Sequence, residues 1–134
     1  MNNAMIYGLA FTFISSTCWA DDKVATVPVG FAKGASSAQL KGTFKGYDSV
    51  QYVLSAKSGQ HLTVRITGSH NANYNVFAPG DKPGEASALG TGGVGSDWTA
   101  ALPASGKYTV QVFQMRASAR RGEAVPYTIS FSID

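Results

Sequence analysis

Beyond the first twenty residues, apolar and polar side chains alternate with a period of two. Leu62, Val64 and Ile66 are spaced by Thr63, Arg65 and Thr67, and Tyr108, Val110 and Val112 by Thr109, Gln111 and Phe113. Tyr127, Ile129, Phe131 and Ile133 are spaced by Thr128, Ser130, Ser132 and Asp134, and Val50, Tyr52 and Leu54 flank Gln51 and Val53 in the same way. In an extended chain this spacing sends one set to one face and the other set to the opposite face. Each run therefore reads as a half-buried antiparallel strand. Weaker runs at 37–44, 73–78 and 94–101 predict further strands. The turn dipeptides Lys45-Gly46, Ser58-Gly59, Pro79-Gly80, Pro83-Gly84 and Ser105-Gly106 separate them. No stretch of ten or more residues follows a helical period. The pattern predicts an all-β chain, a compact antiparallel β-sandwich of about seven to eight strands. Gly84–Gly95 is glycine-rich and reads as a long loop.

Composition agrees with short strands and turns. Charged residues are 14% and hydrophobic residues 44%, with 15 Gly and 5 Pro, which excludes a coiled coil, a charged tail and a disordered chain. The 134 residues suffice for one domain. A domain of this size buries roughly two-thirds of its unfolded surface and needs no metal or disulfide to stand. The net charge of +3 is too small for the dense cationic stripe that nucleic acid requires, and it favours an acidic partner over a basic one.

The N-terminus carries an export signal. The apolar run Met5–Ile14 is too short to span a bilayer. Cys18 and Ala20 stand at the −3 and −1 positions of a cut after Ala20, so residues 1–20 read as a signal peptide, although no Lys or Arg precedes the apolar run. Ser15-Ser16-Thr17 is a poor context for the rival reading of Cys18 as a lipoprotein cysteine. Residues 21–134 then form a single exported domain without cysteine, and so without disulfides, a thiol nucleophile or a thiolate metal site. No second apolar segment reaches membrane length and no N-x-S/T sequon occurs. A soluble monomer in a Gram-negative periplasm is the expectation, with no membrane contact.

The candidate chemistry is sparse. His61 lies in a strand and His70 in a polar turn without a neighbouring carboxylate; Ser105-Gly106 is a turn and not a nucleophile elbow. Asp48, Asp81, Glu85, Asp97 and Glu123 occur singly, and none has metal-ligand spacing. No motif for a catalytic, metal or cofactor site is legible. A glycosidase pair of carboxylates from distant strands stays open though nothing recommends it, and an exported sandwich of this kind reads as a binding module. One connection is too long for a plain hairpin: Arg116-Ala117-Ser118-Ala119-Arg120-Arg121-Gly122. Its alanines permit a single helical turn ended by Gly122. Arg116 and Arg120 would then lie side by side at i and i+4, a like-charge pair costing about 0.2–0.5 kcal/mol with only Glu123 near to offset it. The segment is either a solvated loop or an arginine prong awaiting a carboxylate on another molecule. Guanidinium suits the second role, with a planar fork of donors and a charge it keeps when desolvated.

Particular strings carry more than a class. Phe31-Ala32-Lys33-Gly34-Ala35-Ser36-Ser37-Ala38-Gln39 is followed by Lys45-Gly46-Tyr47-Asp48, Ala56-Lys57-Ser58-Gly59-Gln60 and Phe77-Ala78-Pro79-Gly80. Leu102-Pro103-Ala104-Ser105-Gly106-Lys107-Tyr108 and Gln114-Met115-Arg116-Ala117-Ser118-Ala119-Arg120 complete the series. In order and spacing the chain from about residue 29 to its end resembles the periplasmic inhibitors of g-type (goose-type) lysozyme. The resemblance implies an antiparallel β-sandwich made by a Gram-negative bacterium against host lysozymes, with protruding loops that occupy the enzyme's substrate cleft. It places lysozyme binding on Tyr47, Arg116 and Arg120; Asp48 and Arg121, adjacent in sequence, are secondary candidates for the same contact. On the residues alone Tyr47 is also compatible with a core tyrosine and Asp48 with a turn cap. Gly84–Gly95 and the polar turn 68–75 find no counterpart in the resemblance. Two other functions stay open: inhibition of another lysozyme class, or a non-catalytic module for peptidoglycan or carbohydrate. The latter wants exposed aromatics on one face, for which Trp98 is the available tryptophan.

Overall fold

A computed structural model describes residues 22–134; the signal peptide expected at 1–20 lies outside the described residues. The strands are β1 (Val24–Pro28), β2 (Ser37–Lys45), β3 (Ser49–Ala56), β4 (His61–Gly68), β5 (Asn73–Phe77), β6 (Gly90–Gly93), β7 (Trp98–Ala101), β8 (Gly106–Phe113) and β9 (Ala124–Ile133). The helix α1 (Arg116–Arg120) joins β8 to β9. One sheet has five strands in the order β1-β3-β8-β5-β6, and the other has four in the order β2-β9-β4-β7.

The period-two runs set the register. Tyr108, Val110 and Val112 pair with Leu54, Tyr52 and Val50, while Ile129, Phe131 and Ile133 pair with Ile66, Val64 and Leu62. Both sets face inward, so a slip of one residue in either sheet would turn its apolar side chains to solvent. Tyr52, Leu54, Tyr74, Val76, Tyr108, Val110 and Val112 meet Leu62, Val64, Ile66, Tyr127, Ile129 and Phe131 in the core. Tyr108 is wholly buried and its hydroxyl donates to the Ala104 carbonyl at 2.6 Å, fixing the turn before β8. The Tyr52 and Tyr127 hydroxyls meet at 2.6 Å and tie the two sheets through the core.

The sandwich expected from the sequence is the fold that forms, with nine strands among the described residues. Two edge strands account for the excess. β1 runs parallel to β3, from Val24 opposite Ser49 to Pro28 opposite Val53, in an otherwise antiparallel architecture. Nearly all of β1 is exposed, so it shows no alternation, and Pro28 sits on the edge where a missing N–H is tolerated. β6 occupies part of the segment read as a long loop, pairing with β5. Its glycines serve packing: a side chain at Gly90 would collide with the Trp98 indole, and one at Gly92 with the Tyr74 hydroxyl. The strand expected at 94–101 begins only at Trp98, because residues before it turn back to form a bridge between Ser96 and Gly93.

Candidate functional site

The turn between β2 and β3 and the connection between β8 and β9 are bolted together at one end of the sandwich. The Gly46 amide donates to the Glu123 carbonyl at 3.1 Å. The Gln114 side-chain nitrogen donates to both the Gly46 carbonyl at 2.9 Å and the Glu123 carbonyl at 2.8 Å. Gly46 has φ 60°, a left-handed conformation that a side chain would strain. The turn is closed by the Asp48 amide on the Lys45 carbonyl at 3.0 Å. Tyr47 is thereby lifted out of the sandwich and is 49% exposed, which excludes its core reading.

The arginine segment folds as the sequence predicts, into one helical turn. Its first backbone bond runs from the Ala119 amide to the Met115 carbonyl at 2.9 Å, and the Ser118 hydroxyl donates to the same carbonyl at 3.2 Å. Ser118 and Ala119 pack inward and are buried, whereas Met115, Arg116, Ala117 and Arg120 point to solvent. Gly122, at φ 70°, takes the left-handed conformation that ends the turn, its amide on the Ala119 carbonyl at 2.9 Å. Arg116 and Arg120 stand four residues apart on the exposed side, and neither has an ion-pair partner among the described residues.

The secondary candidates are engaged within the chain. Arg121 grips the Glu123 carboxylate through Nε and Nη2, each 2.5 Å from Oε2. Glu123 thus offsets Arg121 and not the Arg116–Arg120 pair. Its other oxygen accepts from Asn71 Nδ2 at 3.1 Å, which brings the polar turn after β4 to the same end of the molecule. The Asp48 carboxylate accepts from the Lys23 backbone amide at 2.8 Å, and Ser49 donates back to the Lys23 carbonyl at 2.9 Å. Asp48 therefore fixes the entry to β1 and does not cap its own turn.

The sequence gives no sign that Gln114, Glu123 and Asn71 hold this end of the molecule together, save one at Gln114. It continues the inward phase of Tyr108, Val110 and Val112, where a polar residue is out of place, and it is only 6% exposed. Its Oε1 has no hydrogen-bond partner among the described residues. The two bonds from Nε2 nevertheless fix the amide, since the reversed orientation would press oxygen against two carbonyls.

His61 and His70 are exposed and apart, and no group of three potential metal ligands occurs among the described residues. Trp98 is half-buried against the core, and Tyr47 is the only large aromatic exposed among the described residues, which leaves a carbohydrate module without a flat aromatic face.

No family model matches the chain. An inhibitor of g-type lysozyme from Escherichia coli (strain K12) is 36% identical over 125 residues, covering 93% of this chain and 92% of its own length. The crystal structure of a periplasmic inhibitor of g-type lysozyme from Aeromonas hydrophila matches with a TM-score of 0.83 at 62% identity, over 85% of this chain and 100% of the solved one. Its counterpart from Salmonella Typhimurium matches with a TM-score of 0.64 at 34% identity, over 82% and 98%. With identity of this level spread over almost the whole chain, the protein belongs to the family of inhibitors of g-type lysozyme.

Proposed function

We propose that the protein inhibits g-type lysozyme in the periplasm by seating the Tyr47 turn and the arginine loop in the enzyme's substrate cleft. A single observation carries the cleft reading: two segments far apart in sequence are hydrogen-bonded into one projecting end that presents Tyr47, Arg116 and Arg120 to solvent. Enzymes that hydrolyse glycosidic bonds keep carboxyl groups beside the scissile bond. An unpaired guanidinium inserted there forms charge-assisted, fork-shaped hydrogen bonds in a partly desolvated site. Tyr47 adds a flat apolar ring with a polar tip, the kind of residue that anchors protein interfaces. Arg121 and Asp48 are secondary contacts at the rim, since both are already engaged within the chain. The relatives are inhibitors and not enzymes, and this chain is likewise an inhibitor. Residues 1–20 act as the export signal and residues 21–134 as the single inhibitory domain, a monomer that protects peptidoglycan from host lysozyme.

The test is lysis of peptidoglycan by a g-type lysozyme with and without residues 21–134, beside a chicken-type enzyme and the Arg116→Ala/Arg120→Ala variant. Inhibition of the g-type enzyme alone, lost in the folded double variant, is the expected result. Equal inhibition by the variant would remove the arginines from the site. Inhibition of the chicken-type enzyme alone would move the protein to another lysozyme class, and inhibition of neither would leave the wall-binding alternative.

A further inference from the structure

We infer that Gln114 is a positioning residue for lysozyme binding: its carboxamide clamps the Tyr47 turn to the arginine loop, so that both halves of the interface meet the enzyme as one preformed surface. The inference rests on the cleft-binding reading above and adds a residue that touches no enzyme.

Three features of the site carry it. The first is the chemistry of the bridge. Nε2 holds carbonyl oxygens from two segments, 2.9 Å from that of Gly46 and 2.8 Å from that of Glu123. That task needs two N–H donors on one uncharged nitrogen at the end of a side chain of this length. A hydroxyl has one donor, a carboxylate has none, and an ammonium would bring a charge into a buried position. The second is place. Gly46 immediately precedes Tyr47, and Gln114 is separated from Arg116 only by Met115, so the clamp acts directly behind the exposed side chains. The third is how little else joins the two segments past the end of the β2–β9 ladder, whose pairing reaches Lys45 opposite Ala124. Beyond it, the backbone bond between them is that from the Gly46 amide to the Glu123 carbonyl, at 3.1 Å. The Glu123 carbonyl keeps that bond when Gln114 is removed, and Gly46 itself is only partly buried. Removing the clamp therefore loosens the tip of the Tyr47 turn, while its base stays held by the β2–β9 ladder. An interface ordered only on binding bears its ordering entropy at that moment, which lowers affinity with every contact residue still present.

The test is a pair of variants, Gln114→Met and Gln114→Glu, which keep the length and remove both donors. Each is titrated against a g-type lysozyme on the native background and on the Arg116→Ala/Arg120→Ala background. Hydrogen exchange is followed at the Gly46 and Val110 amides. On the native background the dissociation constant is expected to rise about tenfold. On the double-alanine background, where Tyr47 alone is left to position, it should rise by a clearly smaller factor. Exchange should quicken at Gly46 and stay unchanged at Val110. An unchanged dissociation constant overturns the inference, as does the same factor on both backgrounds. So does exchange quickened equally at Val110, or failure of both variants to fold, since either makes Gln114 a general structural residue. If the double-alanine protein binds like the native one, the cleft reading falls and the clamp with it. If the arginines matter and Gln114 does not, the clamp alone falls.

Discussion

Arg116 and Arg120 lie four residues apart on one turn with no ion-pair partner among the described residues, an arrangement that does nothing for the free protein. Truncating either to alanine should leave thermal stability unchanged within about 0.5 kcal/mol, with a small gain where the like-charge pair is relieved. Binding should respond in the opposite sense. Losing one member of a desolvated charge pair costs about 2–5 kcal/mol, so each truncation should weaken inhibition at least about thirtyfold. Thermal melts and lysis titrations on the same samples check both halves, and a variant that loses stability in step with inhibition would contradict the assignment. Arg121→Ala should behave differently. It breaks a surface pair with Glu123 worth about 0–1 kcal/mol and should reduce inhibition by less than either neighbour. The two free arginines were legible because a helical spacing places them on one side. Gln114, Glu123 and Asn71 were not, because their partners are backbone or side-chain groups brought near only by the fold.

The arginine turn is a short element with little intrinsic stability, and its ends decide whether it forms. Met115 supplies no side-chain cap at its start, so the turn relies on burial of Ser118 and Ala119 and on its stop at Gly122. Gly122→Ala forces a side chain into the left-handed region and should cost about 1 kcal/mol. That lowers the melting temperature by several degrees in a domain of this size. Inhibition should fall more than the stability loss explains, because the unwound turn no longer aligns Arg116 with Arg120. Melting and inhibition constants measured together would show it, and a proportionate fall in both would refute it. The strands were legible to different degrees for a physical reason. β3, β4, β8 and β9 separate a core face from a wet one and therefore alternate. β1 is exposed along most of its length at a sheet edge, and β6 is written in glycine and threonine to admit Tyr74 and Trp98 beneath it. Their identity as strands lies in their partners and not in their own pattern.

At the scale of the whole molecule, no cysteine occurs among the described residues, so the sheets are held by burial and by polar contacts between them. Tyr52 and Tyr127 supply one such contact across the core, and the Tyr74 hydroxyl of the first sheet meets the Val64 carbonyl of the second at 3.2 Å. All three phenols are raised above their ordinary value chiefly by burial. The bond from Tyr127 partly opposes the rise at Tyr52, whereas burial, with the Asp97 charge adding to it, pushes Tyr74 up to about 12. Tyr127 is raised further by its contact with Tyr52. Above about pH 10 the unfolded chain gives up these protons while the folded chain keeps them. The folded state then binds more protons, so stability that is full below pH 10 is lost as pH rises, with the share of Tyr74 falling between about pH 10 and about pH 12. Each retained proton steepens that decline by at most about 1.4 kcal/mol per pH unit. Denaturant unfolding at several points between pH 8 and 11.5 should show the fall. Tyr127→Phe should be less stable at neutral pH by about 1–3 kcal/mol, because it leaves the buried Tyr52 hydroxyl without its partner. The same variant should lose stability more gradually with rising pH, since one retained proton is gone. An alkaline slope unchanged by the substitution would locate the loss elsewhere than in the tyrosine pair that joins the two sheets.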